Sequence, residues 1–274
     1  DHAVVHQTVE LCRSLKAGRA KGLVNAVMRR VTANPSLTRS ERLNHPEWLI
    51  ERWEERYGTR VTEGWCQENN EPPALFIVGN RNFEPDSLRS AGREVKDVQV
   101  DGQLLEGVWR ISGQSGLVSD LPGFDTGQFW VQDAAAVQMA DLLSDVDGKR
   151  VLDACAAPGG KSFRLSSRGA RVLCTDVSST RLKRLNESSR RLGFQLETAV
   201  HDWETGIYEV GEEFDAVLVD APCTGLGVIR RRPEIRWRRQ EADLIGSAER
   251  QEKILSHCAA RVRTGGDLVY TVCS

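Results

Sequence analysis

From Gln128 onward, short apolar runs alternate with helix-length segments, and no other feature of the chain restricts its fold as strongly. The strand candidates are 150–154, 171–175, 196–200, 214–219 and 267–272, with helices between most of them. Strands separated by helices cannot pair as hairpins, so this alternation predicts an α/β fold built on a parallel, doubly wound sheet. Ligands bind such sheets outside the carboxyl ends of the strands.

Several of those ends carry chemistry. The first strand runs into Cys155-Ala156-Ala157-Pro158-Gly159-Gly160-Lys161, where two glycines let backbone approach a ligand that a Cβ would exclude. The turn is neither a Gly-x-Gly-x-x-Gly fingerprint nor a P-loop, which needs glycine where Cys155 stands. Asp176 ends the second strand, well placed to accept hydrogen bonds from ribose hydroxyls, and Asp202 ends the third, within reach of an adenine. A tight turn and helix caps account for any one of these residues. Their recurrence at three successive strand ends favours an adenosine-bearing cofactor.

The chain has seven cysteines, an odd number without any Cys-x-x-Cys, which supports neither a disulfide framework nor a zinc site. Cys12, Cys66, Cys174 and Cys258 fall on apolar faces and read as small buried hydrophobes. Cys155, inside the glycine turn, is ambiguous. Cys223 differs because Pro222 and Gly225 force an irregular loop at a sheet edge beside Asp220, and Cys273 also stands where an apolar run stops. A thiolate there can add to an electron-poor ring, and the Asp220 carboxyl can protonate or hydrogen-bond a ring nitrogen. Two such thiols suggest divided labour in attack and release.

A formal net charge of −2 argues against a uniformly basic nucleic-acid coat, yet Arg230, Arg231, Arg232, Arg236, Arg238 and Arg239 fall within ten residues. Pro233 and Trp237 interrupt the run, so it need not be a solvated helix face. Guanidinium forks pair with phosphates and indole stacks on bases, making Arg230, Arg231, Arg232, Arg236 and Trp237 candidate nucleic-acid contacts. The 40% hydrophobic and 28% charged content is that of a soluble globular protein. No apolar stretch is long enough for a membrane helix and no signal peptide opens the chain, so a cytoplasmic monomer is expected, with no membrane or metal partner.

Upstream, residues 3–14 and 21–31 read as helices, with Val5, Val9 and Cys12 on one apolar face and Leu23, Val24, Val27 and Val31 on the other. Two short helices cannot enclose a core, and the chain opens on Asp1, so residues 1–33 read as the remnant of a larger helical domain. Asn34-Pro35 breaks the pattern, and a new helix starts at His45-Pro46. Residues 34–125 form a linker and small α+β subdomain with strands at 74–78, 95–100 and 108–111. Residues 126–274 form the catalytic domain.

At these residues the sequence closely resembles the RNA cytosine-5 methyltransferase family (NOL1/NOP2/Sun), from about His45 to the end. The resemblance is carried by Gln132-Asp133, the Asp153 to Lys161 turn, Asp176, Asp202, Asp220-Ala-Pro-Cys-Thr-Gly225 and Thr271-Val-Cys-Ser274. The leading helices, with Lys21-Gly-Leu-Val-Asn-Ala-Val-Met-Arg-Arg30, look like the end of the NusB-like domain of the bacterial 16S ribosomal RNA (Sun/Fmu) subfamily. The family implies a Rossmann-like methyltransferase sheet, which normally carries two strands beyond the five found here, so its C-terminal edge is expected to be truncated. It also implies S-adenosyl-L-methionine as cofactor, held by Cys155, Ala156, Ala157, Pro158, Gly159, Gly160, Lys161, Asp176, Asp202 and Asp220. Cys273 is then the nucleophile, Cys223 assists release, and Asp220 holds the cytosine of an RNA substrate. Two places depart from the family pattern: Val272 precedes the nucleophile where serine or threonine is frequent, and Gly79-Asn80-Arg81-Asn82 stands where Arg-Val-Asn is common. Transfer RNA as substrate and a catalytically silent RNA-binding protein are the alternatives. A DNA cytosine methyltransferase, using the Pro-Cys thiol, is disfavoured by the second cysteine at 273.

Overall fold

The computed structural model describes residues 2–14, 17–31, 37–113, 116–206 and 213–273; the Asn34-Pro35 break and Ser274 lie outside them. The chain divides into two compact units, residues 1–67 and 68–274.

The first unit contains helices α1 (His2–Ser14), α2 (Lys21–Val31), α3 (Arg39–Leu43) and α4 (Glu47–Tyr57), and most of α5 (Thr59–Asn70). A capping box starts α3: the Glu41 amide donates to Thr38 Oγ1 at 3.3 Å and the Thr38 amide donates to Glu41 Oε2 at 2.8 Å. Pro46 precedes α4, where its missing N–H costs nothing. Leu43, Ile50 and Cys66 make the small core, with Trp53 packed against it. Val9 and Cys12 are buried as their periodicity predicts, but Leu23 is 70% exposed and Val27 is also open. The apolar face of α2 is thus left partly uncovered, at Leu23 and Val27, among the described residues.

In the second unit, β1 (Leu75–Gly79), α6 (Pro85–Ser90), β2 (Arg93–Val100), β3 (Gln103–Gly113) and β4 (Phe129–Val131) build an antiparallel sheet in the order β2-β3-β1-β4. Asp101 and Gly102, with φ of 51° and 78°, turn β2 into β3 as a two-residue hairpin requires. β4 is the strand that periodicity does not show, because three residues carry no pattern. It comes from the segment expected to begin the catalytic domain, yet pairs with β1, Ile77 opposite Val131.

Helix α7 (Ala134–Asp141) leads into β5 (Arg150–Asp153), α8 (Gly160–Ser167), β6 (Arg171–Asp176), α9 (Ser179–Leu192), β7 (Glu197–Val200), β8 (Phe214–Asp220), α10 (Ile235–Arg238), α11 (Asp243–Ala259) and β9 (Val262–Thr271). The five strands are all parallel, in the order β7-β6-β5-β8-β9, as the alternation predicts. Residues alternate between two cores. Val151, Val172 and Leu218 face Phe163, Leu182 and Leu185, whereas Leu152, Leu173 and Val217 face Trp203, Ile254 and Cys258. Each fully buried aliphatic side chain contributes about 1.5–3 kcal/mol relative to exposure, so both faces hold the central strands in register. β5 lies between β6 and β8, and the order reverses there. The switch point directs a ligand to the ends of β5 and β8.

Candidate active site

The β5–α8 turn begins at Asp153. Gly159 has φ 112°, and a Cβ there would lie 2.7 Å from the Phe163 ring and 2.9 Å from Leu185, so no other residue fits without displacing the core. Arg181 of α9 ties the turn to the next strand: its guanidinium donates to the Ala157 carbonyl and lies 3.2 Å from Asp176 Oδ2. Asp176 is buried, and its Oδ1 accepts the Ser178 amide at 2.9 Å. Asp202 Oδ1 accepts the Glu204 amide at 2.9 Å, so a turn-capping role is present in both carboxylates.

These groups share one cleft. About 900 Å³ in volume, it is lined by Asp176, Asp202, Asp220, Cys155, Cys223 and Cys273, among others. Every strand end that carries a candidate group opens into this space. Lys161, expected as part of the cofactor turn, directs its ammonium to Asp220 Oδ2 at 2.6 Å, and the Thr271 hydroxyl donates to Asp220 Oδ1 at 3.1 Å. Asp220 is therefore fixed from β9 and from α8.

The two thiols meet. Cys223 Sγ and Cys273 Sγ are 2.9 Å apart although fifty residues separate them in sequence. Backbone bonds join their loops: the Gly227 amide donates to the Cys273 carbonyl at 2.8 Å, and the Ala221 amide to the Thr271 carbonyl at 3.0 Å. Sequence reasoning did not find a further brace, in which Tyr270 donates to Gln251 Oε1 and Gln251 Nε2 donates to the Pro222 carbonyl, each at 2.9 Å. The hydrogen bond to Cys223, then burial, hold the Cys273 thiol above its ordinary range. Burial pushes Cys155 up to about 12, which makes it an inert part of the turn. Cys12, Cys66, Cys174 and Cys258 are buried.

The families to which this arrangement is similar are specific. Residues 140–274 match the family described as 16S rRNA methyltransferase RsmB/F, residues 45–84 the ferredoxin-like domain of RsmF/B-like methyltransferases, and residues 1–33 the NusB family. The ribosomal RNA small subunit methyltransferase B of Serratia proteamaculans is 34% identical over 284 residues, covering 100% of this chain and 66% of that protein. The chain belongs to the RsmB/F methyltransferase family. The enzyme of the same name from Erwinia tasmaniensis is 33% identical, with the same coverage. This RsmB/F chain thus spans about two thirds (66%) of the length of these relatives. A methyltransferase homolog protein from Pyrococcus horikoshii shares the fold at a TM-score of 0.71 and 25% identity, covering 86% of this chain and 75% of that one.

The arginine run of this RsmB/F chain is not the uniform surface that its composition suggests. Arg230 pairs with Glu68 Oε2 at 2.9 Å and donates to the Pro72 carbonyl at 3.0 Å. Arg231 pairs with Asp133 Oδ2 at 2.5 Å and donates to the Ala74 carbonyl at 3.0 Å. Arg236 is 1% exposed, donating to Asn70 Oδ1 at 2.6 Å and to the Asn69 carbonyl at 3.0 Å. These three hold the loop to residues 68–74 and to Asp133, and of them only Arg236 is buried. Arg232, at the rim of the cleft, and Trp237, 56% exposed, do face outward. No helix among the described residues is long and apolar enough to cross a membrane, and no cluster of metal-ligating residues occurs among them.

Proposed function

We propose that this protein methylates C5 of a cytosine in RNA, 16S ribosomal RNA in particular, through a covalent bond between Cys273 and C6 of the base. The observation that carries the reading is the thiol pair, 2.9 Å apart, in a cleft that Asp176 and Asp202 also line. The relatives' name, small subunit rRNA methyltransferase B, supports ribosomal over transfer RNA.

The cofactor is S-adenosyl-L-methionine. Its fit rests on the turn at Cys155, Ala157 and Pro158, which lines the cleft, and on buried carboxylates at the ends of β5 and β6. Asp176 and Asp202 hold the adenosyl end, and residues 155–161 and Asp220 pass alongside it. When bound, the cofactor supplies an electrophilic methyl group.

Cytosine C5 is a poor nucleophile. The Cys273 thiolate adds to C6, forming the S–C6 bond and shifting the C5–C6 π electrons toward C5 and the ring nitrogen N3. Asp220, braced by Lys161 and Thr271, supplies a hydrogen bond or proton at N3. Attack requires the Cys273 proton to leave to solvent, which the hydrogen bond to Cys223 opposes. After the methyl has been taken up by C5, loss of the C5 proton expels the thiolate, and Cys223 assists this release. The target base must be unstacked to reach the cleft. Arg232 and Trp237 hold the flanking RNA.

Asp176→Ala is expected to weaken calorimetric binding of S-adenosylmethionine at least tenfold, the equivalent of about 1.4 kcal/mol. Unchanged affinity removes Asp176 from the cofactor site. For RNA, Arg232→Ala is expected to lower the log–log salt slope of binding by about 0.7 to 0.9, one phosphate contact. Arg236→Ala is expected to leave that slope alone and to lower thermal stability, because it strips a buried guanidinium from Asn69 and Asn70. An unchanged slope in Arg232→Ala rejects the contact.

A further inference from the structure

Cys223 stands on a loop that is held from outside on both sides of the sulfur. The carbonyl of Pro222, the residue before the thiol, accepts from Gln251 Nε2 at 2.9 Å. The carbonyl of Thr224, the residue after it, accepts from Arg239 Nε at 2.9 Å. Gln251 belongs to α11 and Arg239 directly follows α10, so two separate elements grip the backbone around one side chain. Thr224 is 2% exposed, and Gly225, at φ 77°, turns the chain so tightly that a Cβ there would lie 3.1 Å from Ile235 Cδ1 of α10.

Gln251 also holds the strand of the other thiol. Its Oε1 accepts from the hydroxyl of Tyr270, which precedes Cys273 on the run that ends β9, at 2.9 Å. One amide thus uses its acceptor on β9 and its donor on the Cys223 loop, and sets the two against each other. Arg239, the last arginine of the run, is half-buried and turns its Nε–H inward to the loop. The sulfurs that these contacts bring together are 2.9 Å apart.

We infer that Gln251 and Arg239 are positioning residues for Cys223, holding its thiol at hydrogen-bond distance from Cys273 so that it assists release of the methylated base. The inference rests on the division of labour between the thiols proposed above, and adds to it two residues that do not line the cleft. Misplacing a reacting group by about 1 Å costs up to about a hundredfold in rate, so a loop that carries such a group needs its backbone fixed. Attack is not impaired when the loop shifts, because the hydrogen bond between the thiols opposes loss of the Cys273 proton. Separating the sulfurs therefore slows release and eases attack, two changes of opposite sign that a general weakening of the fold does not produce.

The test is adduct formation on denaturing gels, with full-length protein, 16S ribosomal RNA and S-adenosylmethionine. Gln251→Glu keeps the acceptor for Tyr270, which guards the fold, and sets a carboxylate against the Pro222 carbonyl. Arg239→Leu removes the donor to Thr224. Each is expected to raise the steady-state fraction of enzyme held as adduct about tenfold, the worth of one hydrogen bond, and to lower turnover by a similar factor. The adduct should also appear at lower pH than in wild type. Arg239→Lys keeps one donor and is expected to recover most of the turnover. The deciding measurement is each substitution made together with Cys223→Ala. A residue that acts through Cys223 has nothing left to act on there, so the rate and yield of adduct are expected to equal those of Cys223→Ala alone. Lost turnover without retained adduct in the single variants, or a further loss in the double variants, would make the two residues supports of the fold and overturn the inference. Single variants that behave as wild type overturn it as well. If Cys223→Ala itself retains no adduct, the division of labour fails first and the inference with it.

Discussion

Full-length protein carrying Cys273→Ala is expected to form no covalent adduct with its RNA and to lose methyl transfer by on the order of a thousandfold or more, the scale for a lost nucleophile. Cys223→Ala is expected to do the opposite on a denaturing gel, accumulating a retarded band because attack proceeds while release fails. The pair's geometry adds a second signature. The hydrogen bond to Cys223 is the largest cause holding the Cys273 thiol above its ordinary range, so adduct formation in wild type is expected to rise with pH. Removing Cys223 removes that cause, and the adduct in Cys223→Ala should appear at lower pH than in wild type. Adduct accumulation in Cys273→Ala would reverse the two roles, and methyl transfer by that variant would reject the mechanism.

A second large effect is expected at Asp153, on stability. Burial keeps its carboxyl protonated up to about 7, against an ordinary 3.8, with Asp220 and Asp176 adding to the rise and Ser162 and Lys161 opposing it. The native state thus binds more protons than the unfolded chain between those two values. Stability from this group falls as pH rises through that window, reaching a deficit of up to about 4 kcal/mol above pH 7. Asp153→Asn keeps an acceptor for Ser162 and carries no charge to bury. Urea denaturation is expected to show the variant more stable than wild type at pH 8 and little different at pH 4. A variant less stable than wild type at pH 8 would mean that Asp153 is ionised without penalty in the native protein. A gain in stability accompanied by weaker cofactor binding is the signature of a group placed for function.

Much of the catalytic sheet was legible because each strand is a short apolar run closed by glycine, aspartate or cysteine. Periodicity placed β5, β6 and β8 within a residue at each end. β9 begins several residues before its apolar core, at Val262, because the polar stretch through Gly265 and Gly266 hides the strand. Helix α5 escaped for a similar reason: Thr62 and Cys66 are buried, a spacing of four with too few apolar neighbours to form a stripe. The arginine run shows the reverse limit. Composition marks positive charge but not its partners, and Glu68, Asn69, Asn70 and Asp133, far away in sequence, are what Arg230, Arg231 and Arg236 pair with. Gln132 was visible as part of a motif, but the indole of Trp130 taking one end of its amide was not. No linear pattern encodes that choice.

Cys273 of this protein is proposed to make 5-methylcytosine in 16S ribosomal RNA. Bisulfite sequencing of that RNA from cells lacking the gene, then from the same cells supplied with wild type or with Cys273→Ala, tests it directly. The expected result is a protected cytosine that disappears on deletion, returns with wild type and stays absent with Cys273→Ala. Protection that persists in the deletion, or that Cys273→Ala restores, would contradict it.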